Sequence, residues 1–331
     1  MKFCLFILYI LNAAIGSSKF NSDAKWSMWK VTHRKQYANL VEETNRRIIW
    51  QANLQEIKTH NMEYKRRRVS FKMGMNHFGD LSSSEFQRIY HHQSFKQRSF
   101  VYIIQEVKPF LPFNNSFIVR SVDWRKKGYV TPVYYQGTCG SCYGFAATGS
   151  LEAMIFKKYG KLIKLSEQSI VDCSSYYGNL GCSGGSIIRA YKFVMENGIQ
   201  SADTYPYTAK AGTCRHNKSS TVATMSHYIK VHSNEEALAQ TVSTVGPVAV
   251  CVHTKTRSWQ FYKSGILYDP LCKNYTYDHG ILVVGFGIQK DEHYWIVKNS
   301  WGSRWGMKGY IWIAKDRNNH CGISSYATYP E

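Results

Sequence analysis

The chain has 331 residues and a mass of 38.2 kDa, with 44% hydrophobic residues, 15% aromatic residues and only 7 prolines. This excludes wholesale disorder and collagen-like or proline-rich structure, and leaves room for one large or two medium globular units. The net charge of +20, from 42 Lys+Arg against 22 Asp+Glu, is spread over both halves with dense runs only at Arg66-Arg67-Arg68 and Arg125-Lys126-Lys127, so it reads as solvated surface rather than a nucleic-acid face.

Phe3 to Ala14 is the one stretch apolar enough to suggest a membrane, and it is too short for a bilayer core that takes about 20 residues to span. It follows Lys2 and ends in Ala14-Ile15-Gly16, the small-x-small pattern of a signal peptide cut near Gly16. A chain that enters the secretory pathway meets an oxidising compartment in which cysteines pair. Cys4 leaves with the signal; Cys139, Cys142, Cys173, Cys182, Cys214, Cys251, Cys272 and Cys321 remain. Glycosylation sequons at Asn114, Asn217 and Asn274 agree with the same route.

From Lys25 to Tyr64, Trp26, Trp29, Ile49, Trp50, Asn53, Leu54, Ile57 and Asn61 recur at helical spacing, which predicts two amphipathic helices. Phe71 to Phe78 alternates as a strand does. Residues 91–117 have no period and read as an extended linker holding a processing site. The block beyond begins with helical patterns and turns strand-rich after Gly280, which implies two subdomains. Its clearest element is a helix after Cys142, with an apolar stripe of Phe145, Leu151, Ile155 and Tyr159, Lys157 and Lys158 in the last turn, and Gly160 as a left-handed cap. Ile281–Ile288, Tyr294–Val297 and Tyr310–Ile313 read as strands.

Gln136-Gly-Thr-Cys-Gly-Ser-Cys-Tyr143 sets a thiol at the start of that helix, where unpaired N–H groups and the positive dipole end are expected to favour the thiolate of Cys142. Acyl transfer also needs a base, a group to orient it, and donors for an oxyanion. His279, in Asp278-His279-Gly280, can be the base. Asn299, in Lys298-Asn299-Ser300-Trp301-Gly302, can hold its second nitrogen under the cover of Trp301. No second Cys-x-x-Cys or His-x3-His spacing follows Cys139-x-x-Cys142, and a thioredoxin-like context is missing, so a zinc site or redox pair is the poorer reading.

Together these residues make the chain resemble the papain-like cysteine proteases, in particular the cathepsin L and cathepsin S group. Glu43, Arg47, Trp50, Asn53, Ile57 and Asn61 fall at the spacing of the group's propeptide helix motif, with Trp50 where Phe is usual. Gly74-x-Asn76-x-Phe78-x-Asp80, Ser121-Val-Asp-Trp-Arg125, Gly181-Cys-Ser-Gly-Gly185 and Asn299-Ser-Trp-Gly302 continue the match, and Val119 to Gly128 looks closest to cathepsin S. The resemblance implies an α+β, papain-like fold: a helical subdomain and a β-barrel-like one behind a helical propeptide, divided as 1–16 signal peptide, 17–117 inhibitory propeptide and 118–331 peptidase.

It also implies a cysteine endopeptidase made as a zymogen, with Cys142 as nucleophile, His279 as acid and base, Asn299 as its orienter, and the Gln136 amide with the Cys142 N–H as oxyanion donors. Gly184 and Gly185 then line the cleft, and Ser186, Ile187, Cys251, Tyr277, Gly280 and Tyr326 form the pocket for the second residue before the scissile bond, with Trp301 nearby. The implied disulfides are Cys139–Cys182, Cys173–Cys214 and Cys272–Cys321, leaving Cys142 and Cys251 free. No metal or cofactor is required. Implied partners are protein and peptide substrates, the chain's own propeptide and cystatin-type inhibitors; the implied molecule is a monomer with no nucleic-acid partner and no membrane span, located in the secretory pathway and then the lysosome or outside the cell. Tyr143-Gly144 departs from the group's usual Trp-Ala or Trp-Ser. The competing reading is a catalytically weak or inactive homologue that acts as a binding protein.

Overall fold

The computed structural model describes residues 22–90, the backbone of 107–108, and residues 119–331. The expected signal peptide and almost all of the 91–117 linker lie outside the described residues. Among those described, no helix is long and apolar enough to cross a membrane.

Two helices open the described chain, as the spacing predicts: α1, ending at residue 33, and α2 (Leu40–Lys65). Asn39 caps α2 by accepting the Glu42 N–H at 2.9 Å, and Glu42 in return accepts the Ala38 N–H at 2.7 Å, which satisfies backbone donors that no helical carbonyl reaches. Trp26 and Trp29 stack on each other at 5.3 Å, and Trp50 meets Trp26 edge-on at 5.5 Å, so the aromatic stripes lock the helices together. The strand expected over Phe71–Phe78 covers only β1 (Phe71–Met73). It stops because Asn76 turns the chain: its Oδ1 accepts the Phe78 N–H at 2.9 Å, and its Nδ2 donates to the Gln260 carbonyl at 2.8 Å. α3 (Ser83–Tyr90) follows.

The remaining strands are β2 (Val107–Lys108), β3 (Val122–Asp123), β4 (Ile199–Gln200), β5 (Thr221–Ala223), β6 (Tyr228–Lys230), β7 (Val248–Val252), β8 (Tyr262–Leu267), β9 (His279–Gln289), β10 (Glu292–Lys298), β11 (Tyr310–Ala314) and β12 (Ala327–Pro330). One sheet runs β1-β8-β11-β10-β9-β7-β12-β6-β2, with β3 also on β9, while β4 and β5 pair separately. β1 lies antiparallel to β8, Phe71 opposite Gly265, so the N-terminal segment completes a sheet built by the C-terminal half. The helices of the second block are α4 (Cys142–Tyr159), α5 (Glu167–Cys173), α6 (Ile187–Asn197), α7 (Glu235–Thr244) and α8 (Arg257–Phe261).

α4 is the axis of the molecule. It ends as expected at Gly160, which takes φ +67° and sends its N–H to the Phe156 carbonyl. The expected apolar stripe understates its burial. Leu151 and Ile155 are buried, Tyr159 is 66% exposed, and Tyr143, Ala146, Ala147 and Ala153 are buried as well, because α4 packs on α5 and α6 on one side and on β9 and β7 on the other. One apolar core joins α4–α6 to the near face of the sheet; the other joins the rest of the sheet to the N-terminal segment through Phe71, Phe78 and Phe86.

Candidate active site

Three disulfides fix the loops around the helical half and the far edge of the sheet: Cys139–Cys182, Cys173–Cys214 and Cys272–Cys321, with Cys142 and Cys251 free. The first holds the loop that leads into α4, where the Gly140 N–H also donates to the Cys182 carbonyl at 2.8 Å. Cys142 is the first residue of α4, and its N-cap, Ser141, spends its hydroxyl on Tyr207 at 2.6 Å rather than on the helix.

β9 brings the second half of the site. His279 opens the strand, and Gly280 beside it faces α4 so closely that a Cβ there would stand 3.2 Å from the Cys142 carbonyl oxygen; the absent side chain lets strand and helix start meet. The Asn299 side-chain oxygen, Oδ1, accepts the Ser300 N–H at 2.8 Å, which fixes the amide's orientation. The His279 Nε2–H therefore donates to that same oxygen, at 2.7 Å, and Nδ1 is left as the acceptor, buried and without a hydrogen-bond partner among the described residues. Trp301 covers the pair with its ring 4.8 Å from the imidazole.

Gln136 joins this arrangement through one neighbour. Its Oε1 accepts the Ser300 hydroxyl at 2.6 Å and its Nε2 donates to the Cys139 carbonyl at 2.9 Å, leaving one amide hydrogen uncommitted to these bonds. Ser300 thus ties the loop before the thiol to the residue that orients the imidazole. The sequence gives no sign of that link.

Electrostatics in this form of the chain oppose the ion pair. Burial pushes the Cys142 thiol up to about 11 despite backbone N–H groups of Gly280 and Tyr143 that favour the thiolate. Burial also holds His279 down at about 4, against the bond to Asn299. Burial thus works against the thiolate expected at the helix start, while the backbone N–H groups work for it.

Cys142, His279, Gly184, Gly185, Ser186, Ile187, Cys251, Tyr277, Gly280 and Tyr326 share the wall of one cavity, whereas Trp301, Asn299 and Gln136 stand behind it. Gly185 is required by packing: a Cβ there would come within 2.6 Å of the Tyr143 ring. Sequence reasoning did not place four wall residues in the site: Tyr90, Gly140, Tyr143 and Asp278. Tyr90, the last residue of α3, donates or accepts a 2.9 Å hydrogen bond with the Tyr135 hydroxyl and packs edge-on against Trp301, bringing the N-terminal segment to the cavity that holds Cys142. It lies at the border of an aperiodic segment, where spacing carries no signal.

Residues 118–331 match the papain family cysteine protease pattern and residues 26–86 match the cathepsin propeptide inhibitor domain (I29). The chain belongs to the papain family of cysteine proteases. Within it, the chain is close to the cathepsin L homologues: it is 45% identical to procathepsin L of Mus musculus over 336 residues, covering 98% of each chain, and 45% identical to cathepsin L2 of Homo sapiens over 334 residues, covering 97% of each. Its fold is similar to that of digestive procathepsin L 3 from Tenebrio molitor larval midgut, with a TM-score of 0.87 at 38% identity over 93% of this chain and 98% of that one. The stem bromelain precursor gives 0.84 at 34% identity over 94% and 98%. The chain is thus a cysteine protease zymogen.

Proposed function

We propose that this chain is a cathepsin L/S-type endopeptidase with residues 1–16 as signal peptide, 17–117 as inhibitory propeptide and 118–331 as the peptidase, and that its likeness to cathepsin S rests on Val119–Gly128. The observation that carries the mechanism is the 2.7 Å His279–Asn299 bond beside a helix-start thiol in the same cavity. Once the propeptide leaves and water returns, the Cys142 proton passes to His279 Nδ1. The Cys142 sulfur then attacks the substrate carbonyl carbon, and the oxyanion is held by the Gln136 amide and the Cys142 N–H. The imidazolium gives its proton to the departing amine as the C–N bond breaks. A water molecule, deprotonated by His279, opens the thioester and frees the thiol. The enzyme acts as a monomer on protein and peptide substrates in the lysosome or outside the cell, and is open to cystatin-type inhibitors.

The wall composition supports a narrow choice of substrate. Cys251 stands opposite Gly280 in the β7–β9 register, so its side chain shares the face that looks toward the start of α4 and fills space that Gly280 leaves. The Tyr277 ring is pinned: its hydroxyl donates to the Asn274 carbonyl at 3.0 Å, and the ring lies against Gly322, where a Cβ would meet Cε1 at 2.6 Å. With Tyr90 in place the cavity holds about 60 Å³, well under the ~150 Å³ that admits benzene. The one carboxylate among the described wall residues, Asp278, is engaged by Thr254. Valine or another small aliphatic is therefore favoured two residues before the scissile bond over Phe or Arg, by on the order of 1–3 kcal/mol per methylene.

Profiling the processed chain with a peptide library tests both levels. Hydrolysis that is abolished in Cys142→Ser, with a Val optimum that broadens toward Leu and Phe in Tyr277→Val, is the expected result. A Phe or Arg optimum removes the narrow pocket. No cleavage of any peptide would return the chain to the binding-protein reading.

A further inference from the structure

The cavity that holds Cys142 has an apolar wall, but two cations stand just outside it. On the helical side, Ser186 and Ile187 line the cavity at the start of α6, and Arg189 follows three residues after Ser186, one turn on. Its Nη1 donates to the Gly178 carbonyl at 2.6 Å, and its guanidinium lies so close to Gly178 that a Cβ there would stand 3.1 Å from Cζ. The next residue, Asn179, accepts the Ser186 N–H at 2.7 Å, and the loop runs on to Gly184 and Gly185 in the cavity wall. The guanidinium is thus fixed against this rim of the cleft. On the sheet side, Lys230 ends β6, is exposed, and holds its ammonium 5.7 Å from the ring centre of Tyr326, another wall residue. Rings of Tyr191 and Tyr228, 6.0 Å apart, pack α6 against β6.

Both cations therefore flank Tyr326. Burial raises the Tyr326 hydroxyl, and Arg189 is close enough to pull the other way. The carboxylates carried by the same elements are engaged elsewhere. Glu196, at the far end of α6, accepts the Tyr177 hydroxyl at 2.6 Å, and Glu331, after β12, pairs with His227 before β6. Asp278, in the cavity wall, takes the two Thr254 bonds. A guanidinium that gives one N–H to a carbonyl still has others to give, and an exposed ammonium keeps its charge toward solvent.

We infer that Arg189 and Lys230 form a subsite for the carboxylate of an Asp or Glu placed third before the scissile bond, a substrate preference that rests on the peptidase reading and on the pocket proposed for the second residue. Neither cation belongs to the described wall of that pocket, so a side chain inside it does not meet them. In an extended chain the neighbouring residue lies about 3.3 Å further along and points to the opposite face, which carries its side chain out of the pocket and across the rim. The attraction there is that of exposed charges: about threefold in affinity for each cation, and weakened by salt.

The test compares two peptides that differ only in Glu or Gln at the third position, with Val at the second, as substrates of the processed chain. The Glu peptide should have the higher kcat/KM, by about tenfold at low salt and through KM, with the gain lost near 0.5 M NaCl. In Lys230→Gln and in Arg189→Gln the ratio should fall to about threefold, and in the double variant to about one. Lys230→Gln alters an exposed side chain, so it keeps the test valid if loss of the Gly178 bond unfolds Arg189→Gln. A ratio unmoved in folded variants overturns the subsite. So does an equal gain from Glu moved to the second or fourth position, which would mean that the net positive charge of the chain attracts any acidic peptide. The same two peptides are also titrated, by fluorescence anisotropy, into the Cys142→Ser chain freed of its propeptide by an added protease. Absence of cleavage by the unmodified chain would sink the peptidase reading, while the ratio of affinities for the inert chain still decides the subsite.

Discussion

Asp278 shows how surroundings set the pH range of one side chain. It is 8% exposed, and its Oδ1 accepts both the N–H and the hydroxyl of Thr254, at 2.9 and 2.7 Å. Burial raises its pKa from 3.8 to about 6, the Thr254 bonds pulling the other way. A carboxyl raised on folding stabilises the fold below its unfolded value, and that contribution is lost as pH rises through the folded value. Asp278→Asn keeps the acceptor for Thr254 and removes the charge. The variant should be more stable than the parent by about 3 kcal/mol at neutral pH and indistinguishable from it near pH ~3, as urea unfolding at the two pH values would reveal. Equal effects at both pH values would mean that charge is not the cause. At this scale the sequence places Cys142 at a helix start, His279 at a strand start and Asn299 before Trp301, and the structure has each at that place because a fixed local frame sets it. Sequence reasoning missed Ser300, Tyr90 and Asp278, whose roles exist only once distant segments meet.

Among the elements, α4 carries the least obvious lesson. Gly144, Ala146, Ala147 and Gly149 present little hydrophobic contrast, yet the helix is enclosed by α5, α6, β7 and β9. Periodicity reports where large apolar residues fall, and a central helix that packs through small ones leaves it little to report. The shortening of β1 has a similar origin, since alternation continues to Phe78 but Asn76 diverts the backbone into side-chain hydrogen bonds. Gly144 offers a direct check on the helix. A Cβ there would meet its nearest neighbour, the Glu167 carbonyl oxygen, at 3.7 Å, which is ordinary contact. Gly144→Ala should therefore stabilise the chain by about 0.5–1 kcal/mol, through reduced freedom of the unfolded chain, without loss of turnover. A lower melting temperature would show that α4 is packed more tightly than these contacts indicate.

For the whole molecule, the propeptide and the peptidase share one sheet through β1 and β8 and one core through Phe78, Phe86 and Trp301. Their separate existence in the sequence, two helical motifs and then a cysteine-bearing block, was legible; their interlocking was not, because it depends on contacts such as Arg257 with Glu56 that join residues 201 positions apart. The interlocking has a chemical consequence. Burial raises the Cys142 thiol and lowers the His279 imidazole in the full-length chain, which disfavours the thiolate–imidazolium pair there. Removing the cover should restore the hydration that an ion pair needs.

The central claim, that Cys142 is a nucleophile held dormant by the propeptide, is tested most directly by mass-mapped labelling with a thiol-directed epoxide. The reagent is applied to the intact chain at neutral pH and to the processed chain at acid pH. Opening of the epoxide by the thiolate forms a carbon–sulfur bond, and the resulting alkoxide takes a proton from the imidazolium. The account predicts one adduct per processed chain, on Cys142, with Cys251 unmodified and the intact chain unlabelled. An adduct on Cys251, or equal labelling of Cys142 in both forms, would contradict it.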